Sequence, residues 1–172
     1  MLKKEIFFDV DGVLRDLNGV IRQKFNLPQT TTWHNNEWDK LGKGVYELVA
    51  EDYDILTKAE PTKYLKAIIR YIKKKDVLLE LWSHQPKFWQ EPTMKWLDHY
   101  LKGIDFEILF LNSEQKYKRL KTYSKALLVE DYPHFPEYSQ IVLIDCPYNK
   151  KVKADLRVKS VTELKEILNN NI

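Results

Sequence analysis

Cysteine is almost missing from this chain: Cys146 is the single one in 172 residues, so an internal disulfide is excluded and a reducing cytoplasm is the expected setting. No apolar run approaches the roughly 20 residues that span a bilayer, and no membrane partner is expected. The start, Met1-Leu2-Lys3-Lys4-Glu5, leads straight into a strand pattern and does not have the build of a secretory leader. Neither sign of charge dominates. Twenty-eight Lys and Arg against 25 Asp and Glu leave a net +3, which mildly favours anionic ligands and is too small to argue for nucleic acid. The chain has no internal repeat and no low-complexity linker. A hydrophobic content of 44% with 31% charged residues is ordinary for a globular protein, and the length suits one domain over residues 1–172 with one good core. Five Trp and ten Tyr are many for this length; most belong to packing, and some are suited to stacking on a base.

The most informative segment lies at the front. The apolar run Glu5-Ile6-Phe7-Phe8 ends in Asp9-Val10-Asp11-Gly12-Val13-Leu14. Residues i and i+2 of a strand share a face, so Asp9 and Asp11 point the same way, and Gly12 permits a sharp turn behind them. Two carboxylates side by side repel and call for a cation such as Mg2+, or for one of them to hold a proton. A plain turn rich in Asp and Gly is the alternative. A calcium loop does not fit, because Val13 and Leu14 stand where that pattern needs an Asp or Asn and then a Gly. The segment Phe7 to Leu14 resembles motif I of the haloacid dehalogenase (HAD) superfamily, most of whose members are phosphatases.

Further apolar runs follow at 77–82, 106–111, 126–129 and 141–144. Unbroken apolarity without alternation suits strands buried on both faces, as in a parallel sheet. Helical patterns lie between them. One opens at Pro61 with Tyr64, Leu65, Ile68, Ile69 and Ile72 on one side; another opens at Pro92 and buries Trp96, Leu97, Tyr100 and Leu101. The last begins at the capping box Ser160-Val161-Thr162-Glu163. The alternation predicts an α/β fold, a doubly wound, Rossmann-like parallel sheet. Residues 17–60 break the rhythm. Structureless connections of about 40 residues are uncommon in compact domains, which favours a lid over a long crossover. In the superfamily, an insertion at this place is a helical cap that closes over the active site, and the small cap expected here carries Trp33 and Trp38.

Open α/β sheets bind ligands beyond the carboxyl ends of their strands. The second run ends at Trp82-Ser83-His84, where Ser83 and neighbouring N–H groups are suited to phosphate oxygens and His84 to substrate or to a structural role. Ser83 matches the superfamily's motif II. The fourth run ends at Glu130-Asp131, an acidic pair that is costly after a buried strand unless a cation or donors satisfy it, or that caps a following helix. The pair resembles motif IV. That match implies Asp131 as direct Mg2+ ligand, with Glu130 behind it or holding a metal-bound water. Lys116, Lys118 and Lys121 all precede this strand as candidates for the motif III lysine, and Lys116, in the first helical turn and fourteen residues before Glu130, is favoured.

The resemblance implies a Mg2+-dependent phosphomonoesterase. Asp9 is then nucleophile and metal ligand, Asp11 is general acid–base with its backbone carbonyl on the metal, and Gly12, Ser83, His84 and Lys116 lie around the phosphate. Dehalogenase relatives lack the second Asp. Pro147-Tyr148-Asn149 and the later Arg157-Val158 resemble the close of the 5′(3′)-deoxyribonucleotidase branch, which implies a small-molecule partner, a (deoxy)nucleoside 5′-monophosphate. Two features depart from that branch: Arg15 stands where a small residue is more usual, and Ser83-His84-Gln85 replaces a Thr-Ser-Pro-like segment. The alternatives are a sugar phosphate or a phosphorylated polynucleotide end as substrate, and, in a different class, a silent metal-binding scaffold or regulatory subunit.

Overall fold

The structure is a computed structural model that describes residues 5–26 and 45–170. Six parallel strands form one sheet: β1 (Ile6–Phe8), β2 (Leu79–Ser83), β3 (Phe106–Phe110), β4 (Leu127–Glu130), β5 (Ile141–Ile144) and β6 (Leu156–Val158), in the order β3-β2-β1-β4-β5-β6. The helices are α1 (Leu17–Lys24), α2 (Val45–Glu51), α3 (Asp54–Thr57), α4 (Leu65–Lys75), α5 (Lys87–Tyr100), α6 (Ser113–Leu120) and α7 (Val161–Asn170). The chain therefore winds outward from β1 to β3, returns beside β1 as β4, and winds outward the other way. That reversal makes the crevice between β1 and β4 the topological switch point, where open α/β sheets bind ligands. Phe8 pairs with Leu81 on one side and Val129 on the other. The Asp9 N–H then donates to the Val129 carbonyl at 2.9 Å, which carries the register one residue past β1 and into the site.

Unbroken apolar runs follow from a sheet packed on both faces. Phe8, Leu81, Val129, Val142 and Ile144 face a core built with α4, α5 and α7, to which Ile68, Trp96, Leu97 and Leu164 contribute. Their chain neighbours Phe7, Trp82, Leu128 and Leu143 face a second core with Leu120, Ala126 and Phe135, where Phe7 stacks on Trp82 at 3.9 Å between ring centroids. The run at 106–111 was expected to be buried on both sides, and there the structure differs. β3 is an edge strand that exposes Glu107 and Leu109, because the chain's turn back toward β4 leaves it with a neighbour on one side alone.

Two helix starts also differ from expectation. Pro61 does not open a helix; it bridges to Arg15, and α4 begins at Leu65. Residues 11–16 and 60–62 run side by side there, with Asp16 N–H on the Glu60 carbonyl and Thr62 N–H on the Leu14 carbonyl, both at 2.8 Å. Pro92 lies inside α5, whose extended N-cap is Pro86. At α7 the Ser160 hydroxyl accepts from the Glu163 N–H (3.2 Å) while the Glu163 carboxylate reaches the Lys159 N–H (2.6 Å), one residue earlier than a strict capping box.

Between β1 and α4, the described part of the 17–60 segment is helical. Leu17, Ile21, Val49, Ile55 and Leu56 form a small core of their own against Trp89 of α5. Trp33, His34 and Trp38 lie outside the described residues.

Candidate active site

Four charged side chains meet at the carboxyl ends of β1 and β4. Asp9 leaves the end of β1, Glu130 closes β4, Asp131 follows it, and Lys116 enters from α6. All four are buried, Lys116 to 2% exposure. The Lys116 ammonium donates to Asp9 Oδ1 and to Glu130 Oε1, each at 2.7 Å. Its position is set by a full capping box at the start of α6, where the Asn112 side chain accepts from the Gln115 N–H at 2.9 Å and Gln115 answers at the Asn112 N–H. The other candidate lysines go elsewhere: Lys118 pairs with Glu114 and Lys121 with Glu137 on the exposed side.

Charge does not balance within this group. Carboxylate oxygens of Asp9, Glu130 and Asp131 lie within 4.8 Å of one another, and one ammonium serves all three. Burial first, then Glu130 and Asp11, pushes the Asp9 carboxyl up to about 8 against the pull of Lys116. Asp131 is raised well above the ordinary carboxylate range by burial, Glu130 and Asp9. Burial opposes the charge on Lys116, yet Asp9 and Glu130 hold it above the ordinary lysine value. Glu130 is otherwise committed: its Oε2 accepts from the N–H groups of Asp131 (2.8 Å) and Tyr132 (3.2 Å). Hard oxygen donors with surplus negative charge fit a divalent cation, and Asp9 and Asp131 are the members not consumed by their own loop.

The surrounding loops explain why these residues meet. Gly12 has φ +81°, a left-handed conformation, and a Cβ there would overlap the Asp131 carboxylate; glycine is what lets the β1 loop pass this close. The Tyr148 hydroxyl donates to Asp131 Oδ2, and Asn18 of α1 donates to that same hydroxyl at 3.1 Å. The Asn149 amide donates to the Asp131 carbonyl (2.9 Å) and the Ile144 carbonyl (2.7 Å), tying the ends of β4 and β5 together. Arg157 in turn holds Asn149 Oδ1 at 3.0 Å and Asp145 at 2.7 Å. The Pro-Tyr-Asn turn and the arginine of β6 thus brace the loop that carries Asp131.

Asp11 stands in a second network. Arg15 donates to it through Nε (2.7 Å to Oδ1) and Nη2 (3.1 Å to Oδ2), and Gln85 Nε2 donates to Oδ2 at 2.9 Å. In the sequence Arg15 and Gln85 stand out only as departures from a pattern, and Thr93, which bonds both, carries no signal there. Ser83 ends β2, buried, and its carbonyl accepts from the Leu111 N–H at 2.9 Å. His84 follows at the solvent-exposed rim, its imidazole drawn below the ordinary value by partial burial and then by the Lys116 charge.

No protein-family model matches this sequence, and no curated protein matches it. Solved structures do. A Thermotoga maritima protein provisionally assigned as a β-phosphoglucomutase aligns with TM-score 0.60 and 16% identity, covering 98% of this chain and 100% of its own. A Clostridium acetobutylicum protein provisionally assigned as a phosphatase gives 0.58 and 14%, over 99% and 100%. A HAD-family hydrolase of Deinococcus radiodurans, solved with bound phosphate and sodium, gives 0.56 and 10%, over 98% and 96%. The protein therefore has the doubly wound α/β fold of the HAD hydrolases.

Proposed function

We propose that this chain is a HAD-type phosphomonoesterase that works through an aspartyl-phosphate. The observation that carries the reading is the Lys116 ammonium seated on both Asp9 and Glu130 inside a three-carboxylate cluster at the sheet's switch point. The Asp9 carboxylate attacks phosphorus as the bond to the leaving oxygen breaks, and Asp11 gives that oxygen its proton. Water then attacks the aspartyl-phosphate and returns a proton to Asp11, which frees Asp9 and inorganic phosphate. Lys116 offsets negative charge on Asp9 and on the phosphoryl oxygens, with Ser83 and the Gly12 loop beside it. Asp9, Asp131 and the Asp11 backbone carbonyl would hold Mg2+, with Glu130 behind them. Bound there, the cation supplies charge stabilisation for the transferred phosphoryl group.

The substrate we favour is a nucleoside 5′-monophosphate, supported by the likeness of Pro147-Tyr148-Asn149 and Arg157 to the deoxyribonucleotidase pattern and by aromatic residues in the 17–60 segment, which we read as a cap. A sugar phosphate is the second reading, supported by the assignment of the Thermotoga relative in fold. The test is kcat/KM with Mg2+ and with chelator across nucleoside and deoxynucleoside 5′-monophosphates, sugar phosphates and a 3′-phosphorylated oligonucleotide. Best turnover of a nucleotide, lost with chelator, is expected. A preference for a sugar phosphate overturns the nucleotidase reading alone, and no metal-dependent turnover of any ester overturns the phosphatase reading.

A further inference from the structure

Building on the phosphatase reading, we propose that Arg15, Thr93 and Gln85 form a chain of fixed donors that positions Asp11 and reserves one acceptor site, on its Oδ1, for the proton exchanged during turnover. A guanidinium offers five N–H donors and no acceptor, so its neighbours must accept. Arg15 is 0% exposed. Nε and Nη2 go to Asp11, Nη2 goes also to Thr93 Oγ1 at 3.1 Å, and Nη1 goes to the Leu56 carbonyl at 3.2 Å.

One polarity propagates from there. A hydroxyl carries a single hydrogen. Since Thr93 Oγ1 accepts from Arg15, its own hydrogen goes to Gln85 Oε1, with which it is in contact. The Gln85 amide is thereby fixed with its NH2 end toward Asp11 Oδ2, at 2.9 Å. A carboxylate has about four acceptor positions. Oδ2 spends both of its positions on Arg15 and Gln85, and Oδ1 spends one on Arg15 Nε. Among the described residues nothing donates to the remaining site on Oδ1. That site is the one from which a proton passes to the leaving oxygen and to which the hydrolytic water returns it.

The same guanidinium packs over the Trp96 ring, 5.6 Å from its centroid, and holds α3 through Leu56. Asp11 is thus indexed at once to the β1 loop, to α5 and to the segment that precedes Pro61. Thr93 and Gln85 touch neither Asp9 nor the acidic cluster in any bond described; Gln85 reaches the site by its bond to Asp11, and Thr93 by its bonds to Arg15 and Gln85.

The experiment compares wild type with Thr93→Val, Gln85→Met and Thr93→Ser on two esters: para-nitrophenyl phosphate, whose leaving group departs without a proton, and the best alkyl phosphate of the substrate panel, whose leaving group needs one. For Thr93→Val and Gln85→Met we expect kcat/KM on the alkyl ester to fall about 10-fold or more, against a general-acid contribution of roughly 10²–10⁴, while the aryl ester changes less than about 3-fold. Thr93→Ser keeps the hydroxyl and should restore the alkyl rate. An equal fall on both esters, or no fall on either, overturns the positioning role. If Thr93→Val does not fold, Gln85→Met carries the same comparison. A wild type inactive on both esters overturns the phosphatase reading instead, so the two failures are distinguishable.

Discussion

Replacing the proposed nucleophile should make the metal-free protein more stable as it makes it inactive. Asp9→Asn keeps the shape of the side chain and an oxygen that can accept from Lys116, but it removes one of three crowded ionisable carboxyls. In the folded state burial and the Glu130 charge push the Asp9 carboxyl up to about 8 from an ordinary 3.8. An acid whose folded value is raised contributes stability that is fully present below the unfolded value and is lost as pH rises through the folded one. At pH 7 the folded chain must therefore hold a proton that the unfolded chain has released. About three tenfold steps separate the ordinary value of 3.8 from pH 7, each worth about 1.4 kcal/mol, so the cost of this carboxyl at pH 7 is at most about 4 kcal/mol.

Asparagine does not incur that cost. Urea unfolding of wild type and Asp9→Asn in chelator should show little difference near pH 4, and a gap that opens toward pH 8 in favour of the variant. Adding Mg2+ should shrink or invert the gap, because a cation bound to the folded state alone stabilises wild type by mass action. Phosphatase activity of the variant should be lost throughout, with deamidation excluded by mass. A variant as stable as wild type or less so at pH 8 in chelator, with an unchanged denaturant slope, would refute the reasoning: Lys116 alone would then be balancing the cluster.

Asp131→Ala should raise the Mg2+ concentration needed for turnover or abolish activity. Glu130→Gln should hurt Mg2+ dependence less while lowering the melting temperature more, since Glu130 bonds Lys116 and two N–H groups of its own loop; a metal titration and a thermal melt on each variant separate the two roles, and the reverse order would exchange them. Gly12→Ala places a Cβ against the Asp131 carboxylate at a positive φ, so we expect at least about 1 kcal/mol lost from strain and a weakened Mg2+ response, checked by denaturation and by activity against Mg2+.

What could be read from the sequence was what depends on short spacing. Asp9 and Asp11 lie just past Phe8, where the first apolar run and β1 both end, and Glu130-Asp131 and Lys116 lie at the ends of elements whose order the apolar runs declare. The alternative of two acids merely capping a helix gives way to a different local fact: the Glu130 carboxylate accepts from the N–H groups of its own loop, and no helix follows. Arg15 was not legible in this way. Its partner Thr93 is 78 residues distant and Leu56 is 41, and nothing in Val13-Leu14-Arg15 distinguishes a buried guanidinium from a surface one. The edge position of β3 was hidden for a related reason: an apolar run reports propensity, whereas exposure is decided by which strand comes next to it. Pro92 misled because proline is usual in a first turn, and here the extended Pro86 starts the helix earlier.

The two networks divide the charge of the site between two cations of different kind. Asp9 and Asp11 are close enough for each to feel the other's charge, and a single shared counter-ion would couple the protonation of one to that of the other. Instead Lys116 comes from α6 to Asp9, and Arg15 comes from the motif's own loop to Asp11. On the proposed mechanism the division also bears on the phosphoryl group. Four of the five Arg15 N–H groups are committed to Asp11, Thr93 and Leu56. Lys116 has three donors, two of which go to Asp9 and Glu130. Its third sits on the same nitrogen that touches Asp9 Oδ1, so on the proposed mechanism charge that moves from Asp9 onto phosphorus stays within reach of one ammonium. Arginine at position 116 would bring a wider fork that binds one carboxylate side by side and would not reproduce that geometry.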